Sequence, residues 1–563
     1  MGSPYRTGIG VVISHLNGNL IGKEAYRVHI IWRPCLSALP LSGTPLDRLP
    51  SHYHYPTLPG ITASPRALTA TPLVLLDRGR QPCETVSRAT RRLARHELAT
   101  NDLKQTQNHL ENWCAPLDDT VNKKSDGGFL HSPKGDSSVN QAINNIFSPG
   151  HDYAYNTPLA DLDVSDPTLW PNQAMWAVFK RLRDEDPLHY CKDGWNSIAR
   201  GPEDEAVGPY WSVTRYEDII AIDTDHQRFS SEPFITLQNP AEDFPLPMFI
   251  AMDQPKHDIQ RQTVAPVVAS PSLSRMSKLI RERTQTVLNQ IPLNEEFDWV
   301  NTVSVELTTM MLATLFDFPF EDRRKLTRWS DVATASPETG IVESETQRRA
   351  ELMECVEYFM ALWQQRVGKE GHDLITLLAN GENTRDMEPM EYLGNLILLI
   401  VGGNDTTRNS MSGSVYGSHL FPSEWEKVRA NRDLIPNAVS EIIRWQTPLA
   451  YMRRTALEDV DMHGKTIKAG DKVAMWYASG NRDERKFDDP DTLLFDRKNA
   501  RNHISFGFGI HRCFGNRLAE MQLQILWEEM LQRFTKIEVV AEPRRNISSF
   551  VKGYTEMKVI CRS

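Results

Sequence analysis

Phe506-Gly-Phe-Gly-Ile-His-Arg-Cys-Phe-Gly515 is the stretch on which the reading of this chain turns. Gly507, Gly509 and Gly515 surround a single cysteine, Cys513, so the backbone must bend tightly and approach a neighbour closely. An amphipathic pattern follows at once, with Leu518, Met521 and Ile525 on one face, and it predicts a helix over 516–534. A cysteine just before a helix start is biased toward the thiolate, because first-turn N–H groups and the helix dipole stabilise the anion. A lone cysteine is more often a buried, inert thiol. The loop therefore needs support from the rest of the chain.

Upstream, Gly402-Gly-Asn-Asp-Thr-Thr407 lies inside a helical pattern over 389–419. Two adjacent glycines inside a helix cost about 1 kcal/mol each relative to Ala, so an ordinary core helix would not favour them. Asp405 and Thr406 set an acid beside an alcohol; a threonine in a helix commonly bonds back to a carbonyl, which is the bland alternative. Glu441-Ile-Ile-Arg444 places a carboxylate and a guanidinium on one helical face, upstream of Asp488-Asp-Pro-Asp-Thr-Leu-Leu-Phe-Asp-Arg497. Most such pairs are surface pairs worth under about 1 kcal/mol. Four more cationic or titratable groups stand out: His257 and Arg261 at i, i+4 after Asp253-Gln-Pro, Arg454 ahead of Gly464, and His511 in the cysteine loop.

The pattern F-G-x-G-x-H-x-C-x-G resembles the cysteine-ligand loop of the cytochromes P450, and the other constellations fall in that family's order. The resemblance covers roughly residues 140 to 563. It implies a mainly α architecture, the cytochrome P450 fold, a helical prism with small β-sheets. It implies a monooxygenase that binds heme b (iron protoporphyrin IX), uses O2 as co-substrate, and ligates the iron through Cys513, whose thiolate favours O–O cleavage. Asp405 and Thr406 match the acid–alcohol pair that delivers protons, and Glu441, Arg444 and Arg497 match a buried structural network. His257, Arg261, Arg454 and His511, with Phe506 and Gly507, match cofactor-binding positions, the cations meeting the heme carboxylates.

Several longer strings are similar to the bacterial soluble alkane terminal-hydroxylase branch: Pro247-Met-Phe-Ile-Ala-Met-Asp253, Leu399-Ile-Val-Gly-Gly-Asn-Asp-Thr-Thr-Arg-Asn-Ser410, Glu441-Ile-Ile-Arg-Trp-Gln-Thr-Pro-Leu-Ala450 and Met475-Trp-Tyr followed by Gly480-Asn-Arg-Asp483. That likeness implies hydroxylation of the terminal methyl of medium-chain n-alkanes, with fatty acids or other alkyl chains as relatives. Phe514 departs from it, being bulkier than the branch places beside the ligand. A terpene or steroid substrate is the alternative within the same chemistry. A non-catalytic heme-binding protein would not need Asp405 and Thr406, and a peroxide-driven hydroxylase is expected to lack them. Candidate substrate walls are Phe249, Ile250, Leu396, Ile400, Leu449, Ala450 and Met452, each equally readable as plain core.

Bulk properties fit this reading. Hydrophobic residues make up 40% of the 563 and charged ones 24%, ordinary for a globular protein. Residues 1–137 hold 16 basic and 11 acidic side chains and the remainder 47 and 62, so the main body is acidic and argues against a nucleic-acid partner. Seven scattered cysteines without a C-x-x-C pair suit a reducing cytoplasm. No apolar run reaches the roughly 18–20 residues of a membrane span, so no membrane anchor is expected. Residues 1–137 are rich in Pro, Ser, Thr, Arg and Gly without a sustained helical or strand period, and are expected to form a low-order extension ahead of a catalytic domain at 138–563. Helices are predicted over 173–184, 271–290, 303–315, 345–367 and 436–445 besides those above, and strands over 210–213, 471–476 and 537–540. No flavin or iron–sulfur motif is visible, so electrons are expected from a separate ferredoxin and ferredoxin reductase.

Overall fold

The computed structural model describes residues 7–16, 23–34, 73–77, 150–195, 207–239, 241–335 and 339–563. The chain divides into two units, Met1–His131 and Ser132–Ser563. The expectation of low order over residues 1–137 falls mostly outside the described residues. What is described there is an antiparallel sheet of Thr7–Leu16, Lys23–Pro34 and Leu73–Asp77 with the middle strand second in the chain. In the first of these strands the β-branched run Val11-Val12-Ile13 is short and follows Gly8 and Gly10, which weaken the strand pattern in the sequence.

The second unit is helical with small sheets. Its axis is one long helix, Pro389–Leu420, with proline in the first turn, where no N–H is needed, and Glu391 and His419 placed to suit the helix dipole. Side chains are buried around its whole circumference, so it runs through the interior. Helices Arg324–Ala333, Glu306–Leu315, Ile435–Gln446 and Glu345–Arg366 pack against it. The helix expected from Val303 begins earlier, as a π-helical turn at Val300–Val305 that runs into Glu306–Leu315; Ser304 there is hydrogen-bonded to Ser412 of the long helix at 2.9 Å.

The largest sheet of this unit orders its strands Leu188–Cys191, Tyr210–Val213, Lys472–Met475, Met452–Ala456 and Phe229–Ser230. Tyr210–Val213 and Lys472–Met475 pair in parallel and the rest antiparallel, with Val473 opposite both Trp211 and Arg454. Arg454 is the middle residue of strand Met452–Ala456, which lies between the central strand and the edge strand Phe229–Ser230. Among the described residues no helix is long and apolar enough to cross a membrane.

Candidate functional site

The cysteine loop is closed by its own backbone: the Cys513 N–H donates to the Phe506 carbonyl at 2.7 Å. Gly507 and Gly509 hold φ of 64° and 65°, the left-handed region that glycine alone enters freely. A Cβ on Gly509 would lie 2.5 Å from the Asp223 carbonyl oxygen, so the chain could not rest here with a larger residue. Burial pushes the Cys513 thiol up; the Gly515 and Asn516 N–H groups at the start of helix Asn516–Arg533 and the cations Arg261 and Arg512 pull it back toward thiolate. The opposing donors are those the loop-before-helix spacing implied.

Cys513 opens on a cavity of about 360 Å³. Of the residues singled out in the sequence, Phe249, Ile250, Arg261, Thr406, Leu449, Met452, Arg454, Phe506, Gly507 and His511 line it. Leu396, Ile400 and Ala450 do not: all three are fully buried in packing elsewhere. A helix turns about 100° per residue, and the face that carries Thr406 also carries Gly402, Gly403, Leu398 and Leu399, which line the cavity instead. The two adjacent glycines serve different ends. A Cβ on Gly403 would stand 2.7 Å from Leu312 Cδ2, whereas one on Gly402 would project into open space, where its absence widens the cavity.

Thr406 is at the wall with its hydroxyl donating to the Gly402 carbonyl at 2.8 Å. Asp405 points the other way and is buried; Oδ1 accepts from Ser330 Oγ and Asn404 Nδ2, both at 3.0 Å, and pairs with Arg408 at 3.1 Å. Burial raises its carboxyl above the usual range, against the pull of Arg408, which also contacts Asp331 at 2.9 Å. Arg408 and Asp331 escaped notice in the sequence because nothing there ties the helix Arg324–Ala333 to the long helix.

Arg261, Arg454 and His511 line the cavity, whereas His257 does not and packs against His511. The rings of His257 and His511 lie 4.2 Å apart between centroids. His257 Nδ1 meets Asp258 at 2.7 Å, but His257 Nε2 and both ring nitrogens of His511 are buried without a hydrogen-bond partner. Burial and the cations Arg454 and Arg261 hold His511 down to about 2. Orphaned imidazoles beside the buried Arg454 and the half-buried Arg261 are what an anion-bearing ligand edge would satisfy. With a thiol and a glycine-widened helix wall on the same cavity, these groups fit heme: Cys513 would hold its iron, and Arg261, Arg454 and His511, backed by His257, would meet its carboxylates.

The Glu441 network is present and buried. Arg444 donates to both Glu441 oxygens at 2.7 Å, and Arg497 Nε to the same two at 2.9 and 3.0 Å. The remaining guanidinium hydrogens reach the carbonyls of Asn481, Pro490, Asp488, Asp489 and Thr492. The segment before the cysteine loop is thus fastened to helix Ile435–Gln446.

Residues 422–558 match the family described as Cytochrome P450. The chain is 34% identical over 410 residues to linalool 8-monooxygenase of Pseudomonas putida, covering 71% of this chain and 98% of that protein. It is 28% identical to the methyl-branched lipid omega-hydroxylase of Mycobacterium tuberculosis (strain ATCC 25618 / H37Rv), covering 71% and 95%. Among solved structures, CYP153D17 from Sphingomonas sp. PAMC 26605 is similar at 48% identity and a TM-score of 0.66, over 71% of this chain and 99% of that one. Cytochrome P450-153 from Novosphingobium aromaticivorans is similar at 44% identity and a TM-score of 0.65, over 71% and 98%. Likeness at this level over nearly the full length of those proteins agrees with the thiolate loop and the fold around it: the chain belongs to the cytochrome P450 family, whose members carry heme b and use O2 for monooxygenation.

Proposed function

We propose that this monooxygenase hydroxylates the terminal methyl of medium-chain n-alkanes or related alkyl chains. In this reading electrons come from a ferredoxin and its reductase on separate chains, the protein works in the cytoplasm, and residues 1–137 form an extension outside the catalytic unit. The observation that carries it is the wall of the cavity: Phe249, Ile250, Leu398, Leu399, Leu449 and Met452 surround the approach to Cys513 with apolar surface. Heme, when bound, supplies oxygen activation and insertion into a C–H bond. A primary C–H bond is stronger than its secondary neighbours, so the walls must present the chain end by shape, a task suited to side chains fixed on the long helix and on strand Met452–Ala456.

Thr406 is assigned to hold a proton at Oγ1, and Asp405 to replenish it once its carboxyl has taken a proton from solvent and parted from Arg408. Asp405→Asn is expected to slow product formation about 100-fold, within the range of a general acid. Thr406→Ala is expected to keep consuming reductant while diverting it to hydrogen peroxide. Product and peroxide measured against NADH in a reconstituted system check both; full coupling in the Thr406 variant would remove that residue from the proton route.

A terpene is the second reading, favoured by the identity to linalool 8-monooxygenase. Titrating the ferric holoenzyme with octane and with linalool separates the two. Octane is expected to drive the low-spin to high-spin shift at lower concentration. A response to linalool alone overturns the alkane assignment.

A further inference from the structure

Asp223 lies near the end of helix Tyr216–Thr224, buried and far in sequence from the groups it touches. One carboxylate oxygen accepts from Arg454 at 2.7 Å. The other accepts from the Tyr477 hydroxyl at 2.9 Å and from the Phe508 N–H at 2.8 Å. The loop is fitted to it, since Gly509 leaves room for the Asp223 carbonyl and a Cβ on Gly507 would stand 3.3 Å from Asp223 Oδ2. Arg454 and Tyr477 both line the cavity, and Arg454 has no other carboxylate partner among the described residues. Among the described residues two of its donors are engaged, one by Asp223 and one by the Arg453 carbonyl, so others remain for a ligand.

We propose that Asp223 is a positioning residue for the heme: it ties the arginine that meets a heme carboxylate to the loop that carries the thiolate, so one side chain sets the spacing between the cofactor's edge and its axial ligand. The bland alternative is a structural ion pair that merely neutralises a buried arginine. That role would affect stability without changing the ligand. The proposal rests on the heme alone and is independent of the substrate.

The test uses the heme-loaded full chain. Asp223→Asn keeps an acceptor for Tyr477 and Phe508 but removes the charge that holds Arg454. Two readouts are taken below the melt: heme transfer to apomyoglobin and the Soret band of the reduced carbon monoxide complex. Transfer is expected to be about tenfold faster, the low end of what losing a partner of a ligand costs, with part of the complex absorbing where thiolate-free heme does. Wild-type transfer with the full thiolate band overturns the proposal, even if the variant melts earlier. Should Asp223→Asn fail to fold, Asp223→Glu decides, because it keeps the charge that neutralises Arg454 but lengthens the link between that arginine and the Phe508 N–H. A two- to threefold faster transfer supports the proposal, and an unchanged rate overturns it.

Discussion

Cys513→Ser abolishes the red-shifted Soret band of the reduced carbon monoxide complex, the band that gives this family its name, while far-UV circular dichroism of the protein stays helical. The expectation follows from the loop. Its backbone is closed by the Cys513 N–H and the Phe506 carbonyl, and its glycines are held by Asp223 and Tyr477, so serine enters without disturbing the turn. What changes is the atom offered to the iron: a hydroxyl gives far less electron density than a thiolate. Hydroxylation should fall by more than about 100-fold, the upper end of what removing a mere partner of a metal ligand costs. A serine variant that keeps the band would remove Cys513 from the iron.

The second large effect is on the fold. Glu441→Gln leaves Arg444 and Arg497, both buried, without the carboxylate they share. Removing one member of a buried ion pair costs about 3–5 kcal/mol, because the other charge stays out of water. Against a total stability of about 5–15 kcal/mol that is a severe loss. The holoenzyme is expected to melt many degrees lower and to be purified with a reduced heme-to-protein ratio. Arg349→Ala, which breaks a comparably short contact to the exposed Asp243, should barely move the melt. Equal melts for the Glu441 variant and the wild type would sink the buried-network assignment.

Local pattern carried the reading where a few consecutive residues sufficed. Proline at 389 and the polar signals near 419 mark the long helix, which ends within one residue of the expected position. The same pattern could not give that helix its rotation. Leu393 to Val401 is almost uniformly apolar, so no polar stripe says which side faces the cavity; the close fit of Gly403 to Leu312 sets it, and Leu398 and Leu399 rather than Leu396 and Ile400 come to the wall. Ala450 was misplaced for a similar reason, since its immediate neighbour Leu449 lines the cavity while its own side chain packs into the core. Asp223 was illegible altogether. Ile219-Ile-Ala-Ile-Asp223 reads as the end of an ordinary helix, and its arginine is 231 positions away.

One small interruption in the long helix reaches further than its size suggests. Gly394 allows the Pro247 carbonyl to approach, and Asn395 Oδ1 accepts the Phe249 N–H at 2.9 Å while its amide donates to Gln260 at 3.0 Å. The wall segment is therefore held by its main chain as well as by the packing of Phe249 and Met252 in the core. Under selection, the half-buried Ile250 can change size without unseating the segment, and residues 402–406 of the long helix are left undisturbed. A lineage built on this scaffold can thus change what its cavity accepts in single steps, with the chemistry inherited intact.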